Sequence, residues 1–191
     1  SALRLTSGEL LATQLLRYSS VMTFGNLELP CGAEVVLVAE ALSGASVAAA
    51  SLSSSVLIDC NPPGTGLVGF TSADAGLPST ITTPFCSVAG DAVYGTWDGF
   101  DDPESNATQF QFSLLPTAAR VPGASDWIMA GAQQLALLRI ADLATAPANY
   151  TLFVRGCNPA GLCSASSASQ HPLVVTSAGP TGGVVLVATL G

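Results

Sequence analysis

The chain has 191 residues, 49% hydrophobic and only 9% charged, and its net charge of −8 comes from 13 acids against 5 cations. All five cations are Arg, and a surface this acidic, with no cluster of cations, excludes nucleic acid and anionic lipid as partners. The length suffices to bury a core of one or two domains, and the most apolar stretch, Val35 to Leu52, is broken by Glu40, Ser43, Gly44 and Ser46. It reads as a buried strand pair rather than a membrane-inserted span.

The N-terminus shows no initiator Met, basic region or apolar leader, so the chain is expected to be mature or a piece of something longer. Five Cys and two Asn-x-Thr sequons, at Asn106 and Asn149, fit an oxidising, extracellular setting with N-glycans.

Taken in order, the chain repeats itself. Leu27-Glu28-Leu29-Pro30, then Glu34-Val35-Val36-Leu37-Val38-Ala39, leads to Ala41-Leu42-Ser43-Gly44. Later, Asp142-Leu143, then Tyr150-Thr151-Leu152-Phe153-Val154-Arg155, leads to Asn158-Pro159-Ala160-Gly161. Val38 and Val154 lie 116 positions apart, and Pro63 and Pro180 lie 117 apart. An offset held across strand, loop, strand and linker marks tandem modules. The expected boundaries are therefore 1–59, the back half of one module; 60–176, a complete module; and 177–191, the opening of a third, with Val184 to Val187 in the place of Leu67 to Phe70. Pro62-Pro63 would stiffen the joint.

Within the full module, alternating or β-branched runs predict strands near 67–70, 92–97, 107–115, 127–130, 134–140, 149–156 and 165–175. Helix signals are poor. A short helix could sit only at Leu10–Leu16, Ala45–Leu52 or Leu135–Ile140. About seven strands in a module of this length predict an all-β fold of tandem antiparallel β-sandwiches.

Several of these residues carry a family resemblance. Trp97-Asp98-Gly99-Phe100-Asp101-Asp102-Pro103-Glu104-Ser105, the run from Leu143 through Tyr150-x-Leu152-x-Val154 to Asn158-Pro159-Ala160-Gly161, and Ile58-Asp59-Cys60-Asn61-Pro62-Pro63 each match an element of one pattern. Together they resemble fibronectin type III-like repeats of large extracellular proteins, in the form common on algal and other protist cell surfaces. The resemblance implies that Trp97 is the core Trp of the second strand. Two positions depart from the pattern: Glu34 stands where Tyr150 does, and Thr176 where Asp59 does.

The candidate site residues then fall into place. Tyr150 is expected to form a tyrosine corner rather than a ligand contact, and Trp97 to lie in the core, with Trp127 nearer an edge. Cys157 and Cys163 flank a strand-joining turn, which puts them within disulfide reach. Cys60 is expected to pair with Cys86, with Cys31 as a competitor for Cys60 and otherwise unpaired or bonded externally. His171 is the only histidine and has no nucleophile or carboxylate motif beside it.

Asp98, Asp101, Asp102 and Glu104 leave two readings open. They are hard oxygen ligands of the kind Ca²⁺ takes, or they solvate a turn that Gly99 and Pro103 form regardless of metal. Their spacing is not that of an EF-hand loop. Without a catalytic motif, the chain reads as a non-enzymatic structural or adhesive segment of an extracellular glycoprotein. It would need no cofactor and would partner neighbouring modules or other extracellular structural proteins. The resemblance extends this to a cell wall or ciliary-surface filament such as a mastigoneme; the alternative is a carbohydrate- or calcium-binding module.

Overall fold

A computed structural model describes residues 2–14, 21, 23–42, 48–72, 85–88, 92–118, 121–139 and 148–176. The chain divides into two compact units: Ser1–Asn61 with Pro103–Ser105, and Pro62–Asp102 with Asn106–Gly191. The expected third module lies outside the described residues.

In the first unit, β1 (Ala2–Leu5) and β2 (Leu10–Thr13) form a hairpin whose turn needs Gly8 at φ 94°. The β-branched run Glu34–Leu42 forms β3, followed by β4 (Ala48–Leu52) and β5 (Val56–Leu57). The sheet runs β2-β1-β3-β4, with β5 also on β3, and every pair is antiparallel. Ser53 separates β4 from β5: its amide donates to the Leu37 carbonyl at 2.9 Å, and its Oγ accepts from the Leu37 amide at 2.9 Å. Val35 is the one buried large apolar residue among the described residues of this unit.

The second unit holds β6 (Leu67–Ser72), β7 (Phe85–Val88), β8 (Ala92–Asp98), β9 (Gln109–Pro116), β10 (Ile128–Gly131), β11 (Leu135–Arg139), β12 (Ala148–Cys157), β13 (Ser167–Ala168) and β14 (Leu173–Thr176). One sheet runs β10-β9-β12-β14-β7, with β13 also on β12, and the other runs β11-β8-β6. Alternate residues of each sheet face inward, as the period of two requires. Val68, Phe70, Val93, Trp97 and Leu138 meet Phe110, Tyr150, Leu152, Val154, Leu173 and Val175 in a single core. The architecture is an all-β sandwich.

The strand predicted near 134–140 is β11, Leu135–Arg139, and the other two short-helix candidates also form strands, Leu10–Thr13 and Ala48–Leu52, because tertiary pairing overrides the helix propensity of Leu and Ala. Two details depart from the sequence expectation. The last strand is broken into β13 and β14, because Pro172 has no amide to donate and Ser169 turns inward to bond Leu152. Finally, β7 joins the sheet edge beside β14 in parallel, Leu173 opposite Phe85, so this otherwise antiparallel sheet carries one parallel pair.

Candidate functional site

The acid-rich connection between β8 and β9 is pinned by its one aromatic residue. Phe100 is buried and meets the Phe110 ring edge-on at 5.8 Å. It lies so close to Gly66 and Gly156 that a Cβ at Gly156 would stand 3.0–3.2 Å from its ring and Cβ, and one at Gly66 would collide with it. Gly99, at φ 73°, turns the chain, and the Asp98 Oδ1 accepts from the Gly99 amide at 2.8 Å. The Asp101 carbonyl accepts from the Gly64 amide at 2.7 Å, and Asp101 is exposed.

The acids beyond it have protein partners. Asp102 Oδ2 accepts from Asn158 Nδ2 at 3.2 Å, and the buried Asn158 also accepts, through Oδ1, from the Leu162 amide at 2.9 Å. In the first unit, Glu104 Oε2 accepts from the amides of Cys60 (2.7 Å) and Asn61 (3.1 Å), and Oε1 from Asn61 Nδ2 (2.6 Å). The hydrogen bond from the Cys60 amide is the main reason the Glu104 carboxyl is held below its ordinary value. The Asn61 bonds and Asp59 add to it, and partial desolvation opposes it. Ser105 Oγ donates to Asp59 Oδ2, and Asp59 Oδ1 is buried without a hydrogen-bond partner. Among the described residues no three His, Cys, Asp or Glu side chains converge into a metal-holding group.

The cysteines require a correction. Cys60 is bonded to Cys31, not to Cys86, with Cα atoms 5.5 Å apart, so Cys31 is neither unpaired nor external. The physical reason is the β3–β5 ladder. Gly32 donates to Ile58 (2.7 Å) and Ile58 to Ala33 (2.8 Å), which brings Cys31 and Cys60 together at its end. Cys86 lies on β7 in register with Val174, and its side chain is outside the described residues. Cys157 and Cys163 are bonded across the turn after β12, with Cα atoms 4.0 Å apart.

Trp97 is buried against the rings of Phe110 and Phe112, at 6.0 and 6.1 Å, and its Nε1 has no acceptor, so it contributes area rather than a polar bond. Tyr150 is buried in the same core. Asn106 and Asn149 are both exposed. His171 is half-buried.

Sequence reasoning gave no hint of the arrangement on the outer face of the larger sheet. The Arg155 guanidinium lies 4.4 Å over the Trp127 ring and donates from Nε (2.9 Å) and Nη2 (2.6 Å) to Gln111 Oε1. Gln111 and Arg155 are cross-strand partners, a relation visible only once the register is known. With Arg155 covering one ring face, Trp127 does not offer that face for stacking a sugar.

No protein-family model and no curated protein matches this sequence. Among solved structures, the chain is similar to domains d3-d4 of the rat CD45 extracellular region, with 10% identity, a TM-score of 0.40, and 85% of this chain and 74% of that one covered. It is also similar to the FN1-FN3 domains of chicken CNTN1, with 10% identity, a TM-score of 0.39, and 82% of this chain and 48% of that one covered. A third is a Ca²⁺-stabilized adhesin that helps an Antarctic bacterium reach out and bind ice, with 17% identity, a TM-score of 0.34, and 75% of this chain and 32% of that one covered.

Proposed function

We propose that this chain is a non-enzymatic structural and adhesive segment of an extracellular glycoprotein, in which β-sandwich modules follow one another along a filament or surface coat. The boundaries we propose are 1–59, 60–176 and 177–191. One observation carries the reading: in the first unit β2-β1-β3 is followed by β4 and β5, both on β3, and in the second β10-β9-β12 is followed by β13 and β14, both on β12, with Glu34 opposite Leu57 where Tyr150 is opposite Leu173. The same 116-residue offset that matched the sequence places Val36 and Val38 at the registers of Leu152 and Val154.

The chemistry of the acid-rich loop supports the same reading. Asp98, Asp102 and Glu104 accept hydrogen bonds from protein groups, so they are engaged in holding loop and linker rather than poised toward a substrate. Exposed Asn106 and Asn149 would carry N-glycans, and a surface with 5 Arg and no Lys suits close packing against like modules in a cell wall or on a cilium, as in a mastigoneme. The test is secretion of the full chain from a glycosylating host. Enzymatic deglycosylation is expected to lower its mass in two steps, one lost in Asn106→Gln and the other in Asn149→Gln. Electron microscopy is expected to show end-to-end or lateral assemblies. Saturable micromolar binding to a glycan array would sink the purely structural reading.

The buried, unpartnered Asp59 Oδ1 favours one second reading, a calcium ion that stiffens the linker beside Glu104 and Ser105. A thermal-unfolding series with CaCl₂ decides it. A saturable rise in Tm that Asp59→Asn removes supports the ion, and an unchanged Tm rejects it.

A further inference from the structure

In the second unit, one face of the β9-β12-β14 sheet is closed by β6, β8 and β11. Leu152 and Val154 on that face are completely buried. Their counterparts in the first unit, Val36 and Val38, are not. Residues directly opposite each other in an antiparallel pair share a face. Leu10 sits opposite Arg4, which sits opposite Val36; Leu52 sits opposite Val38, and Leu57 opposite Glu34. Leu10, Leu52 and Leu57 are thus on the face that corresponds to the core face of the second unit, yet they are 49%, 70% and 37% exposed. No described strand of the first unit takes the place of β6 or β8.

We propose that this face is the docking surface for an antiparallel strand pair of the β6–β8 kind, the front half of the same module. The inference rests on the modular reading above. The chemistry of the occupant is set by the interface that already exists in the second unit, where Val68, Phe70, Val93 and Trp97 of β6 and β8 cover the equivalent face. Beside Arg4 and Glu34, the exposed apolar area of Leu10, Leu52 and Leu57 is unfavourable in water at roughly 25 cal/mol per Å², which supplies the drive to close the face.

The register also fixes where such a pair joins. Ala2 opposite Val38 takes the place of Phe112 opposite Val154, so a copy of Phe110 belongs two positions ahead of Ala2. The test is therefore the full chain with Pro62–Phe110 duplicated directly ahead of Ser1. Hydrogen exchange of the Glu34–Leu42 amides is expected to slow about tenfold or more, and binding of an apolar dye to fall. Leu52→Asp in the duplicated chain is expected to restore fast exchange, whereas Met129→Asp, on β10, is expected to leave it slow. Unchanged exchange and dye binding overturn the proposal. So does a concentration-dependent dimer of the unmodified chain that Leu52→Asp dissolves, because the occupant would then be a second copy. Glycan-array binding bears on the structural role alone, so the two readings fail separately.

Discussion

Glu104 shows how a single carboxylate couples the linker to pH. Its carboxyl is held below the ordinary range, chiefly by the Cys60 amide. The folded chain therefore binds this proton less tightly than the unfolded chain, whose Glu titrates near about 4.3. Its contribution to stability is complete above that value and is lost as the pH falls through the depressed folded value. Glu104→Gln keeps an acceptor but removes the charge. Denaturation midpoints measured from pH 7 down to pH 3 should fall more steeply for the parent than for Glu104→Gln. Parallel curves would show that the charge does not matter. At Gly95 the decisive effect is space rather than charge. A Cβ there would stand 2.6 Å from Leu152 Cδ2 and 3.5 Å from Leu138 Cδ1, inside the core. Gly95→Ala is expected to lose about 1–3 kcal/mol by overpacking. Gly69, opposite Thr96 in the same sheet, has nothing nearer than Thr96 Oγ1 at 3.9 Å. Gly69→Ala is accordingly expected to be neutral or slightly stabilising, and the pair of variants compared by thermal melts separates packing from backbone entropy.

At the scale of elements, the two disulfides differ in the length of chain they close. Cys31–Cys60 spans 29 residues and Cys157–Cys163 spans 6. Loop-closure entropy gives roughly 3–4 kcal/mol for the longer bond and about 2 kcal/mol for the shorter. Replacing Cys31 and Cys60 by Ser should therefore lower stability more than replacing Cys157 and Cys163, as read by urea unfolding; the reverse order would show that native strain outweighs chain entropy. The same elements show what the sequence disclosed. Cys157–Cys163 was readable because both residues lie within one local turn, which constrains geometry without knowledge of the fold. The partner of Cys60 was narrowed only to Cys86 or Cys31, because the choice depends on the β3–β5 register, and composition gives no register. β7 was missed for a related reason. Four residues beside Pro84 carry little periodic signal, and their parallel pairing with β14 is a tertiary event. The loop acids could be recognised as turn-forming, but not which donors they face. Asn61, Cys60 and Asn158 are 43, 44 and 56 positions from their acids.

Over the whole molecule, the core is concentrated in one place. The strand order of the second unit brings twelve buried residues into one cluster, among the described residues, while the first unit buries Val35 alone. Backbone pairing in the two is comparable in kind: β3 has partners on both sides, as does β12. A ladder hydrogen bond contributes only about 0.5–1.5 kcal/mol net, because the unfolded chain satisfies the same groups with water. Burial of a large apolar side chain adds about 1.5–3 kcal/mol. The difference in burial, not in hydrogen bonding, should therefore set local stability. Amides of Trp97, Leu152 and Val154 are expected to exchange only through opening of the sandwich, whereas those of Val36 and Val38 should exchange faster by orders of magnitude through local opening. Hydrogen-exchange mass spectrometry of the full chain, with peptides spanning β3 and β12, measures the contrast directly. Equal protection of β3 and β12 would mean that the paired backbone by itself stabilises an open sheet, and that the exposed leucines of the first unit need no cover.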